Sequence, residues 1–195
     1  MMSLFRRTLL AAALLPTIAQ AADCPSSKTA KNGLVLGRLD ALSEFRKAKG
    51  PLVQIITSFG GPDKQIVYSF EGLFDLSRED RKEKYARYPL SDLSNILPLK
   101  KGDRHTINFV PFDAKRSADD WVLELTVTAE ETVSVGRCKY DVFRVKQETK
   151  QNGKTTENLS FLYSPDLHVT LAKIYDEGTG NQAIVGYEHI RPLAR

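Results

Sequence analysis

From Trp121 to Val135 the chain alternates with a period of two. Every odd position except Glu131 is apolar: Trp121, Leu123, Leu125, Val127, Ala129, Val133 and Val135. At the even positions Glu124, Thr126, Thr128, Glu130, Thr132 and Ser134 are polar, and only Val122 is not. Successive side chains of a strand point to opposite faces, so this pattern demands a sheet with one buried face and one wet face. It predicts either one long curved strand or two strands joined near Ala129-Glu130.

Further hairpins follow. Lys139–Lys150 and Lys154–Tyr163 read as strands around Gln151-Asn152-Gly153. A two-residue Asn-Gly turn would set Glu148 opposite Glu157. A three-residue loop instead pairs Val145 with Leu159 and Phe143 with Phe161, which separates the two glutamates and is the expected register. Ser164-Pro165-Asp166-Leu167 is a tight turn with proline presetting φ, and Val169–Tyr175 returns as a strand. The Gly-containing stretch Asp176–Asn181 turns the chain into Ala183–Ile190. Upstream, Leu52–Phe59 and Gln65–Phe74 flank Gly60-Gly61-Pro62-Asp63, and Arg104–Val110 is a shorter strand. Leu34–Arg46 suits a helix or a strand. Ser77–Arg87 is expected to form a short exposed helix, capped by Ser77 and carrying the pairs Asp80–Lys84 and Glu83–Arg87. The expected fold class is all-β or mainly β: a curved antiparallel sheet, half-barrel or sandwich, with one or two short helices.

Residues 1–21 have the layout of a secretory signal peptide. Arg6 and Arg7 precede the apolar run Leu9–Leu15, and Ala19-Gln20-Ala21 matches a cleavage pattern. The run is shorter than the ~20 residues that span a bilayer, so no transmembrane anchor is expected. The expected organisation is a leader over 1–21 and a single exported domain over 22–195, working in the periplasm or beyond. Without Arg6 and Arg7, twenty-six basic side chains face twenty-four acidic ones, a balance of about +2 that argues against nucleic acid as a partner. Cys24 and Cys138 are the only cysteines; in an oxidising compartment an isolated pair is expected to form a disulfide.

The C-terminal half resembles a group of exported bacterial proteins of largely unassigned function. The likeness rests on Val133-Ser134-Val135-Gly136-Arg137-Cys138 leading into Tyr140–Val145, and on Phe161-Leu162-Tyr163-Ser164-Pro165-Asp166-Leu167. Leu97-Pro98-Leu99-Lys100-Lys101-Gly102 looks like that group's entry to a strand. The resemblance implies an antiparallel half-barrel of the shape shared with periplasmic carriers of acyl chains, and it brings no catalytic residues. Where the group has glycine after the final leucine, this chain has His168.

Neither a metal site nor a cofactor is expected, because His105, His168 and His189 lack ligand spacing. Ser164, Asp166 and His168 hold the letters of a nucleophile triad, but two-residue steps across one turn do not place a base between nucleophile and acid. No catalytic residues are therefore assigned. Arg78, Arg81, Lys82, Lys84 and Arg87 are interleaved with acids and read as a solvated face. Lys100, Lys101 and Arg104 are candidate contacts for an anionic envelope partner. Trp121, Leu123, Leu125, Phe143, Val145, Leu159 and Phe161 form a candidate apolar ligand face, either covered as core or open as a concavity. The expected function is a non-enzymatic binding or accessory module of the cell envelope that shelters a lipidic or extended ligand. The alternatives are a protein-interaction module and an envelope hydrolase.

Overall fold

A computed structural model describes residues 24–112 and 119–194; the expected leader lies outside the described residues. Thirteen strands lie among them, and no helix does. They are β1 (Leu34–Arg38), β2 (Ala41–Lys47), β3 (Leu52–Ser58), β4 (Lys64–Phe70), β5 (Phe74–Glu79), β6 (Lys84–Pro89) and β7 (Arg104–Pro111). The second half contributes β8 (Trp121–Val135), β9 (Cys138–Gln151), β10 (Lys154–Ser164), β11 (Val169–Tyr175), β12 (Ala183–Gly186) and β13 (His189–Pro192). From β1 to β12 each strand pairs antiparallel with the next in one curved, unclosed sheet, and β13 lies on the far side of β1. The chain therefore crosses from one sheet edge to the other within residues 183–192. Tyr187 N–H donates to Leu171 O on β11, and Glu188 N–H to Gly37 O on β1.

The long alternation is a single strand. A β-bulge between Val127 and Ala129 bends β8, next to the expected joint. Before the bulge, Trp121, Leu123, Leu125 and Val127 belong to one core cluster, with Phe74, Phe109 and Tyr163. After it, Val135 belongs to a second cluster with Leu36, Phe45, Val142 and Leu171. Strand β10 is buried at every residue from Leu159 to Ser164, with Leu162 in one cluster and Tyr163 in the other.

The structure corrects two local expectations. Ser77–Arg87 is a hairpin of β5 and β6, not a helix. The Asp80 carboxylate accepts the N–H groups of Lys82 and Glu83 at 2.8 and 2.9 Å, turning the chain where helical i,i+4 pairs would add only ~0.2–0.5 kcal/mol each. The β9–β10 turn has two residues rather than three: Asn152 and Gly153 have φ of 51° and 76°, and Lys154 pairs with Gln151. A bulge between Thr155 and Glu157 then shifts the ladder, pairing Val145 with Phe161 and Phe143 with Tyr163. The bulge, not a longer loop, keeps Glu148 away from Glu157. The ambiguous segment Leu34–Arg46 is the β1–β2 hairpin.

Cys24 and Cys138 form a disulfide across 114 residues, tying the segment before β1 to the first residue of β9. Such a bond belongs to an oxidising compartment and points to an exported protein.

Candidate functional site

In an up-and-down sheet the hairpin turns alternate between two ends. The β1–β2, β3–β4, β5–β6 and β9–β10 turns share one end, and the β2–β3, β4–β5, β8–β9 and β10–β11 turns the other. A cavity of about 580 Å³ lies between the curved walls. It is lined at the first end by Phe59 and Glu83, and deeper by Gly72, Leu73 and Phe74. This is within the roughly 300–1,000 Å³ of small-molecule sites.

The floor is a turn pressed into the opposite wall. Glu71 and Gly72 sit between β4 and β5 with φ of 49° and 71°. A Cβ on Gly72 would lie 2.0 Å from the His168 carbonyl oxygen, so only glycine permits this approach. Tyr163 donates its hydroxyl to Glu71 O at 2.9 Å, and Thr170 donates to Gly72 O at 3.1 Å. The Glu71 carboxylate lies 2.8 Å from His168 Nδ1, and His168 itself has φ 52°, in the left-handed region that glycine adopts most readily.

One wall brings Phe45, Ile55 and Val67 to the cavity, the other Leu123, Leu159, Phe161 and Ala172. Hydroxyls and amides interrupt both. Ser43 and Thr57, both buried, share a 2.9 Å hydrogen bond, and Tyr187 donates to Ser43 at 3.2 Å. Burial raises the Tyr187 hydroxyl pKa, opposed by its hydrogen bond to Ser43. Opposite them, Gln147 and Thr149 donate to Glu157 at 3.3 and 3.5 Å.

The charged groups lie toward the open end. Arg78 pairs with Asp80 at 2.8 Å and reaches Glu83 at 3.8 Å. Asp80 is held far below the usual carboxylate range by the Lys82 N–H, then by Arg78. Tyr85 is pushed up to about 12 by burial and by the nearby Asp75. Lys173 lies 5.3 Å from the centre of the Phe161 ring. Arg87 has a different setting: its guanidinium lies 4.9 Å from the Tyr85 ring centre and 5.4 Å from that of Trp121.

Of the candidate apolar face, Trp121, Leu123, Leu159 and Phe161 line the cavity. Leu125 and Val145 are buried as core, and Phe143 packs half-buried against that core. The cover comes from a loop: Ile96 and Leu99, in the connection between β6 and β7, join the cluster of Phe70, Phe74 and Phe109. Sequence reasoning missed the facing wall. The alternation of Ala41, Ser43 and Phe45 along β2 was a usable signal, hidden by the helix-compatible leucines beside it.

Lys100, Lys101 and Arg104 are exposed around the turn into β7, at the end opposite the cavity mouth, where Asp103 accepts the Lys100 N–H at 2.7 Å. Arg81 pairs with Asp63 and Lys84 with Glu79. Ser164 is 1% exposed, whereas Asp166 is exposed and His168 is turned to Glu71. His105 is half-buried on β7 and His189 exposed on β13. Among the described residues no three His, Cys, Asp or Glu side chains gather into a metal-binding group. No helix there is long and apolar enough to cross a membrane.

No family model and no curated protein matches the chain. Among solved structures it is similar to the crystal structure of the hypothetical lipoprotein YmcC from Escherichia coli (K12). The identity is 10%, over 80% of this chain and 88% of that one, with a TM-score of 0.49.

Proposed function

We propose that the protein is a non-enzymatic binding module of the cell envelope, sheltering the apolar part of a lipidic or extended ligand between its two curved walls. The observation that carries this reading is the cavity itself. It is about 580 Å³, closed below by the Gly72 turn and walled by Phe45, Ile55, Leu159 and Phe161. Removing apolar ligand surface from water supplies ~25 cal/mol per Å², while the hydroxyls of Ser43, Thr57 and Tyr187 accommodate polar atoms along the way. The Cys24–Cys138 bond and the leader pattern at the N-terminus support an envelope location.

Native mass spectrometry of protein purified from a periplasmic extract tests the proposal, alongside an environment-sensitive hydrophobic dye. A co-purified amphiphile, or dye bound to the native protein and displaced by fatty acids, is the expected result. A ligand-free spectrum together with no dye binding would sink it, and turnover of a lipid or cell-wall substrate abolished by His168→Ala would replace it with a hydrolase.

A further inference from the structure

We propose that the cavity recognises an anionic oxygen, the carboxylate or phosphate of an amphiphile's head group, between the Arg87 guanidinium and the indole N–H of Trp121. The proposal rests on the binding reading above and adds the chemistry of the ligand's head.

Two observations, one on β8 and one on β6 across the intervening β7, carry it. Trp121 lines the cavity and is 8% exposed, and its Nε1–H is buried without an acceptor. An orphaned buried donor costs ~1–3 kcal/mol, and buried donors are normally satisfied by protein, water or a bound group. Arg87 also lines the cavity, and its described contacts are two aromatic rings, Tyr85 and Trp121. Ring faces hold a guanidinium in place and strip part of its water, but they leave its in-plane N–H donors unused. Its neighbour Arg78 is occupied by Asp80 and Glu83. An oxyanion placed by the indole would satisfy the orphaned N–H and make a charge-assisted bond to Arg87. Of the carboxylates lining the cavity, Glu83 and Glu157 are engaged by other side chains. Glu83 faces Arg78, and Glu157, on the same wall as Trp121, is held by Gln147 and Thr149. Asp75 lies near Tyr85 and repels an anion, which favours a singly charged head over a doubly charged one.

Trp121 is the only tryptophan of the chain, so its fluorescence reports the proposed site directly. The test titrates the disulfide-bonded protein with four amphiphiles of equal chain length: a fatty acid, a lysophosphatidic acid, and as uncharged partners a fatty alcohol and a monoacylglycerol. Both anionic ligands are expected to shift Trp121 emission and to bind about tenfold tighter than the uncharged ones, the factor one charge-assisted hydrogen bond supplies. A preference for the fatty acid identifies a carboxylate head, and a preference for the lysophosphatidic acid a phosphate. Arg87→Gln is expected to bring the ratio of anionic to uncharged affinity close to one, and Arg87→Lys to retain part of it. Equal affinity for charged and uncharged ligands, or an unchanged ratio in R87Q with its wild-type far-ultraviolet spectrum, would overturn the head-group assignment and leave the apolar cavity standing. Binding of none of the four would overturn both.

Discussion

Gly72 has a positive φ and no room for a side chain, two constraints that can be separated by substitution. Gly50 has a similar φ of 64° with nothing within 4 Å of a built Cβ, whereas Gly72 has the His168 carbonyl at 2.0 Å. Gly50→Ala should therefore cost only the left-handed penalty, about 1 kcal/mol. Gly72→Ala must also push the floor turn off Tyr163 and Thr170, and should cost about 3 kcal/mol or more. Urea unfolding of the two variants checks the difference; equal losses would mean that the floor contact contributes nothing. The sequence shows both glycines and cannot distinguish them, because the clashing carbonyl is nearly a hundred residues away.

At the scale of elements, a single bulge resets the register of a hairpin. The bulge after Thr155 lets the favoured Asn-Gly turn coexist with separated glutamates: Glu148 accepts from Thr155 at 2.7 Å, and Glu157 faces Thr149. Arg144 on β9 joins Glu131 of β8 to Glu177 in the turn after β11. The Glu131 pKa is lowered by its hydrogen bonds from Arg144, and that of Glu177 by Ser160 and then Arg144. Because both folded values lie below the ordinary 4.5, their stabilisation is fully present above that pH and is lost as pH falls through the folded values. Arg144→Ala should cost about 1–2 kcal/mol at pH 7 and flatten the stability decline below pH ~4.5. Chemical denaturation at pH 7 and pH 3 measures both; an unaltered acid slope would show that the triad is not the linkage.

Over the whole molecule, the sheet is held together by long-range ties rather than by a closed ladder. One is the crossing segment, where Tyr187 packs edge-on to Phe45 with ring centres 6.1 Å apart. Another is the disulfide. A crosslink spanning 114 residues lowers unfolded-state entropy by an amount near the ~4.7 kcal/mol of a hundred-residue loop. Cys24→Ala with Cys138→Ala should lose about 3–4 kcal/mol in thermal or urea unfolding, while the oxidised wild type runs about two daltons light by mass spectrometry. The cavity is tested by filling it. Ala41 lines it, so Ala41→Phe is expected to abolish hydrophobic-dye binding at a cost of about 1–3 kcal/mol and with an unchanged far-ultraviolet spectrum. Dye binding retained by that variant would place the ligand elsewhere.

What the sequence determined by itself was local in origin. Period-two patterning put Trp121–Val135 in a sheet, as one strand or two, Asn152-Gly153 and Pro165-Asp166 marked turns, and two lone cysteines implied their bond, because each depends on residues near in the chain or on simple elimination. Ser77–Arg87 went the other way: its charge spacing satisfied helix rules that are worth tenths of a kilocalorie, and pairing of β5 with β4 outweighed them. Only the tertiary structure decided which apolar residues are core and which are cavity wall. Leu123 and Leu125 have the same place in the pattern, yet Leu123 lines the cavity and Leu125 does not. The wall opposite, the Gly72 floor and the meeting of Arg87 with Trp121 come from strands far apart in sequence. Curvature brings them together, and curvature is set by bulges and packing that no short window of residues encodes.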